Sequence, residues 1–283
     1  MKFGIESSAY TERYPFLEGV EKMARHGYDA IDYGYFAHIN RPFFRQEEDA
    51  FKAEIERHRD ILEAFHIDPS QTHGPWTYPP RDSTLEEREE RFRVMSKAVR
   101  GSAYLGAKYM VIHQLMPYGE NSPEHPDTVY EINLDFMYRL AEYGKEWGII
   151  VCLENMPFRR LPMARPDEVA AFVRTVNHTH FKVCLDTGHA LIHGIQPADA
   201  VRMIGGDLLA TLHIHDNDGT SDAHRPIGEG IMDFPLFVKA LDEVGYHGVI
   251  SLETKADIEN VLAPQELDIA EKQLLERIKP FFK

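Results

Sequence analysis

Short runs rich in β-branched and apolar residues recur along the chain. Each is followed by a longer segment whose apolar positions return every three or four residues. The short runs at 3–7 (FGIES), 30–34 (AIDYG), 68–74 (DPSQTHG), 109–113 (YMVIH), 149–155 (IIVCLEN), 181–188 (FKVCLDTG), 209–216 (LATLHIHD) and 248–254 (GVISLET) predict strands. The longer period predicts helices over 46–65, 84–104, 128–147, 166–177, 197–204, 233–244 and 265–279. Strands alternating with helices imply parallel strands joined by crossover helices. Eight such units within 283 residues predict an α/β fold of the (β/α)8 TIM-barrel type, with 1–283 as a single domain. An open doubly wound sheet is the competing architecture, but no glycine-rich dinucleotide fingerprint follows the first strand.

The same periods orient individual side chains. Residues two apart on a strand share a face, so Cys152 goes with Glu154, Cys184 with Asp186, and His213 with His215. The deeper member of each pair is expected inside the barrel. Cys152 and Cys184 then read as inert packing residues and His213 as a buried, hydrogen-bonded layer residue. On the charged segment LEEREERFRVMSKAVR, Glu87 with Arg91 and Glu89 with Arg93 are spaced by four, which predicts an exposed helix face. Two proline-bearing loops, 74–84 and 114–127, follow predicted strands and are expected at the rim where barrel sites lie.

The last ligand-type residue of each strand from the third onward is His73, His113, Glu154, Asp186, His215 and Glu253. They recur about every 30–40 residues, one strand–helix unit apart, so all six are expected to converge on the C-terminal mouth. Glu154, Asp186, His215 and Glu253 would give one ion four protein ligands. Carboxylates and imidazoles without thiolate suit Mn²⁺, Mg²⁺, Zn²⁺ or Co²⁺, and the residue types do not choose among them. The segment LHIHDNDGTSDAHRPIGEG, 212–230, adds Asp222 and His224 just beyond His215.

Composition narrows the chemistry. A formal net charge of −15, from 31 Lys and Arg against 46 Asp and Glu, disfavours nucleic acid and suits a small-molecule enzyme. No apolar run is long enough for a membrane helix, and MKFGIESSAY lacks the apolar core of a signal peptide. With two cysteines and no disulfide framework, the expected setting is cytoplasmic. The oligomeric state is open, a homo-oligomer being compatible with all of this.

The segments LEN (153–155), LDTGH (185–189), HIHDND (213–218), HRPIGEG (224–230) and SLE (251–253) together resemble the xylose isomerase-like TIM-barrel superfamily. One branch implies a sugar or sugar-phosphate isomerase or epimerase. There a single divalent ion sits on Glu154, Asp186, His215 and Glu253, the two glutamates act as acid and base, and a metal-stabilised enediolate forms. His189 would then contact a substrate oxygen. Trp76, with Phe36, Tyr78 and Phe158, is a candidate to stack on the sugar, and Arg159 to anchor an anionic group. The endonuclease IV branch implies up to three zinc ions acting on abasic DNA. His73, His113 and Glu154 would hold one, the four-residue set a second, and His189, Asp222 and His224 a third. Ser221 stands near the place where the tagatose 3-epimerase type carries an arginine.

Overall fold

The computed structural model describes residues 1–121, 124–257 and 261–282. In chain order the elements are β1 (Phe3–Glu6), α1 (Ser8–Thr11), α2 (Phe16–His26), β2 (Ala30–Tyr33), α3 (Glu48–Ala64), β3 (Asp68–His73), α4 (Leu85–Leu105), β4 (Tyr109–Ile112) and α5 (Pro126–Glu146). They continue with β5 (Ile150–Glu154), α6 (Pro166–Val176), β6 (Phe181–Asp186), α7 (Thr187–Ile192), α8 (Pro197–Ile204), β7 (Leu209–His213), α9 (Phe234–Glu243), β8 (Ile250–Leu252) and α10 (Pro264–Ile278).

Among the described residues eight parallel strands form one sheet in the order β7-β6-β5-β4-β3-β2-β1-β8. The sheet curls until its edges meet. Ile214, one residue beyond β7, donates its N–H to Ser251 O at 2.9 Å and accepts from Glu253 N–H at 3.0 Å. The result is the expected TIM barrel, with helices between the strands.

Strand ends are shorter than the apolar runs suggest. The run 181–188 stops being strand at Asp186, because the Asp186 carboxylate accepts the His189 N–H at 2.6 Å and caps α7. The run 209–216 is strand to His213, after which Ile214 bridges to Leu252. Helix α2 went unforeseen. Its Phe16, Val20 and Met23 are buried at helical spacing, but Gly19 and the flanking Pro15 break the polar pattern.

On α4 the spacing argument fails for one residue. Arg91 is 5% exposed rather than on a solvated face. Its guanidinium meets Asp82 Oδ2 at 2.6 Å and donates to His113 O at 3.2 Å, which ties the rim loop before α4 to the end of β4. Glu89 pairs with Arg139 on α5 at 2.8 Å, not with Arg93. For Arg91 the tertiary partners override the four-residue spacing because buried, charge-assisted bonds are stronger than exposed helix pairs. Loop 114–127 follows β4 as expected, with its residues 122 and 123 outside the described residues.

Inside the barrel, Val111, Cys152 and Cys184 pack together and both thiols are free. Burial pushes the Cys152 thiol up to about 12, so it is an unreactive packing group, as the strand period predicts. Phe36 is not at the mouth. It is fully buried against Phe43 and Phe51, outside the strands. Among the described residues no helix is long and apolar enough to cross a membrane.

Candidate active site

At the C-terminal ends of the strands lies a cavity of about 620 Å³. Glu154 and Glu253 line it, and Asp186 and His215 lie fully buried outside its lining. Glu154 ends β5 and Asp186 ends β6, while His215 and Glu253 follow β7 and β8 by two residues and one residue. The backbone therefore delivers side chains from separate strands to one point, as register in a closed barrel requires.

Glu154 stands at the centre. Its Oε2 lies 3.2 Å from His113 Nε2 and 3.6 Å from His73 Nε2. Its Oε1 lies 2.9 Å from His213 Nδ1, and that same nitrogen is 3.0 Å from Glu253 Oε2. One imidazole thus holds both glutamates. The far side of His213 faces Asp32 Oδ2 at 2.8 Å, and Gln71 Nε2 donates to that oxygen at 2.7 Å. His213 is fully buried, as expected of a layer residue, but its partners make it the keystone of the site.

A second cluster adjoins the first. His215 Nε2 meets Asp186 Oδ2 at 3.1 Å. Asp222 Oδ2 lies 3.3 Å from His189 Nε2 and 3.4 Å from His224 Nε2, and its Oδ1 is 3.6 Å from His215 Nε2. The His215 and His224 rings stack at 4.0 Å. His189 Nδ1 is fixed by Asn155 O at 2.7 Å, and His224 Nδ1 by Glu253 O at 2.6 Å. These backbone carbonyls set ring orientation and leave the other nitrogen facing the cavity.

The electrostatics follow from crowding. Burial alone would raise the Glu154 carboxyl, but His213, His113 and His73 outweigh it and hold the group well below the usual carboxylate range. Burial likewise opposes the charge on Glu253, and His213 and His224 again prevail. His113 goes the other way, pushed down to about 4 by burial despite Glu154.

Ligand-capable atoms lie within 4.8 Å of one another in overlapping sets: His73, His113 and Glu154; Asp186, His189 and His215; His215, His224 and Glu253; and Glu154, Asp186, His213 and Glu253. The expected quartet is therefore split. His213 stands with the three carboxylates, and His215 shares Asp186 with one set and Glu253 with another. Glu154 Oε2 and Glu253 Oε2, though close to imidazole nitrogens, make no well-aligned hydrogen bond, and His113 Nδ1 and His215 Nδ1 are likewise unsatisfied. Clustered carboxylates with orphaned oxygens are the donor set a divalent cation satisfies.

Of the aromatic candidates, Trp76, Tyr78 and Phe158 line the cavity, and the Trp76 ring lies 4.9 Å from that of His113. Arg159 is exposed on the neighbouring loop, where its guanidinium donates to Gly219 O at 3.1 Å. The Gly-Glu-Gly segment serves the fold. The Asp216 carboxylate accepts from Gly228 N and Gly230 N, each at 3.1 Å, and from Met232 N at 3.1 Å and Asn217 N at 2.9 Å. Glu229 turns outward to Arg277 at 2.6 Å.

Two acidic residues escaped the sequence reading, Glu6 and Asp32. The signal was present: the strand-end rule that found the other residues, carried back to β1 and β2, selects both.

Comparison with known proteins agrees with this architecture. The profile of the family described as xylose isomerase-like TIM barrel matches residues 20–277, and the chain belongs to that family. An uncharacterised protein of Methanocaldococcus jannaschii, MJ1311, is 26% identical over 99% of this chain and 94% of its own length. A D-psicose 3-epimerase of Agrobacterium fabrum is 25% identical over 89% of this chain and 84% of its own. The crystal structure of IOLI protein with a binding zinc atom superimposes with a TM-score of 0.78, covering 100% of both chains at 19% identity, a likeness of fold.

Proposed function

We propose that this protein is a divalent-metal-dependent isomerase or epimerase of a sugar. The carrying observation is the pair of glutamates, Glu154 and Glu253, held by one nitrogen of His213 at 2.9 and 3.0 Å at the base of the cavity. The sugar epimerase among the relatives and the zinc printed for the IOLI protein support the same reading.

Glu154, Asp186, His215 and Glu253 would hold the ion, with His213 beneath them as the strut that spaces the two glutamates. Zn²⁺, Mn²⁺, Mg²⁺ and Co²⁺ all suit three carboxylates and an imidazole. When bound, the ion polarises a substrate carbonyl and offsets the negative charge that develops as the neighbouring carbon loses its proton. Glu154 and Glu253 are ionised at neutral pH, so either can take that proton. The second glutamate returns a proton to carbon, and return to the opposite face inverts the centre. His189, fixed through Nδ1, presents Nε2 to a substrate oxygen. Trp76 and Phe158 cover the apolar edge of the sugar.

The test is hydrogen–deuterium exchange at the carbon beside the carbonyl, with D-psicose and D-fructose as probes and metal content measured in parallel. Glu154→Gln and Glu253→Gln are each expected to abolish exchange, a loss of at least about 1,000-fold, with the fold retained. Exchange that persists in both variants overturns the acid–base assignment. One ion per chain agrees with the proposal. Three zinc ions with cleavage of an abasic duplex would replace it by the phosphodiesterase reading, which the carboxylates Glu6 and Glu12 on the cavity wall oppose.

A further inference from the structure

One wall of the cavity is not accounted for by the metal cluster or its histidines. Glu6, the last residue of β1, lines it together with Glu253. The carboxylate is held in place: Oε1 accepts the Ser8 N–H at 2.9 Å, and the Ser8 hydroxyl donates to Oε2. The facing chain is shaped to admit it. A Cβ on Gly34 would stand 2.0 Å from Glu6 Oε1, so a side chain there would displace the carboxylate. This is a built position, yet no Lys or Arg forms an ion pair with Glu6 among the described residues. Arg13, also on the cavity wall, is taken by Glu271 at 3.1 Å. Lys255 sits at the exposed rim.

We propose that Glu6 is a specificity-determining residue of the cavity, accepting hydroxyl hydrogens of a neutral polyhydroxy substrate and rejecting its phosphate ester. The ligand class rests on the isomerase reading above; the electrostatic selection does not. A carboxylate with acceptor capacity left on Oε2 is matched by a hydroxyl donor and is repelled by a phosphate dianion, and discrimination by a charge left unpaired exceeds what shape alone provides. Burial, with Asp32 and Glu253 close by, raises the Glu6 carboxyl to about 7. At pH 8.5, above that value, the carboxylate form predominates.

The test uses metal-loaded wild type and Glu6→Gln at pH 8.5 and low salt. The variant keeps the shape and the Ser8 contacts but loses the charge, and Glu6→Ala serves as a second variant should the amide disturb folding. Exchange with D-fructose and with D-fructose 6-phosphate is compared as kcat/KM, and inorganic phosphate binding is measured by calorimetry. Wild type is expected to favour the free ketose by at least about tenfold, and the substitution to reduce that ratio by about tenfold. Phosphate is expected to bind the variant several times more tightly than wild type. An unchanged sugar ratio overturns the proposal, as does phosphate affinity equal in the two proteins or absent from both. If wild type exchanges neither sugar, the isomerase reading falls, and the phosphate comparison alone still decides the role of Glu6.

Discussion

Gly188 has no side chain because an imidazole stands where one would be. A Cβ at this first turn of α7 would lie 1.9 Å from His215 Cε1. The residue donates nothing to the site and yet defines it, since His215 reaches Asp186 only through that gap. Gly188→Ala is expected to push the ring aside and weaken metal binding about 10- to 100-fold, with the far-ultraviolet spectrum unchanged. Titration of the metal-free protein with Zn²⁺ or Mn²⁺ checks this, and an unaltered affinity would remove His215 from the proposed ligand set. Asp216 acts on the same scale by a different route. Its fully buried carboxylate gathers four backbone N–H groups from its own strand end and the 228–232 turn. Asp216→Asn turns one oxygen into a donor facing donors, and a loss of about 3 kcal/mol is expected in urea denaturation. A change below about 0.5 kcal/mol would mean the turn is held by other contacts.

At the scale of elements, the chain announced its strands more clearly than its helices. Apolar runs located seven of the eight strands, because in a closed parallel sheet both faces are buried and the signal is dense; β3, DPSQTH, carries no apolar run. Their ends were overcalled where capping takes over, as at Asp186, whose carboxylate ends β6 by starting α7. The six residues of α7 are too few to show a helical period. The candidate site was legible as a list of strand ends, since spacing alone puts His73, His113, Glu154, Asp186, His215 and Glu253 on one rim. What spacing does not encode is which side chain reaches which. The exchange of His213 and His215 between sets, and the burial of Arg91, come from tertiary distances. Elements also carry a pH response. His58 on α3 stacks on Phe16 of α2 at 3.9 Å and bonds Tyr33 of β2 at 2.7 Å. Burial holds its pKa down to about 4. Between pH 6.5 and 4 the unfolded chain therefore binds a proton that the folded one refuses, and stability is lost as pH falls through that window. Relative to His58→Gln, wild type is expected to lose about 1.4 kcal/mol per pH unit there. Denaturation curves of both proteins across pH 4–7 test it, and a flat difference would contradict the buried neutral ring.

On the scale of the whole molecule, the acidic surface and the mouth chemistry point the same way. A net charge of −15 repels polyanions, and Glu6 and Glu12 bring carboxylates onto the cavity wall as well. The barrel has a further property that belongs to its topology. From β1 to β7 each strand pairs with the next in sequence, so those contacts form between neighbours along the chain. The pairing of Phe3 with Ile250 joins residues nearly the whole chain apart, whereas Ile214, bonded to Ser251, Glu253 and the Thr254 hydroxyl, joins the successive strands β7 and β8. Chain-closure entropy makes such a distant contact slow to form. The sheet should therefore assemble first and the ring shut last between β1 and β8. Pulse-labelled hydrogen exchange is expected to protect β5 and β6 before the Ile250 N–H, which bonds Lys2 O across that closure. Simultaneous protection would show closure and assembly to be a single event. Because that closure sets β8, which leads into Glu253, against β1, which ends in Glu6, the wall of the pocket would be completed at the last step of folding.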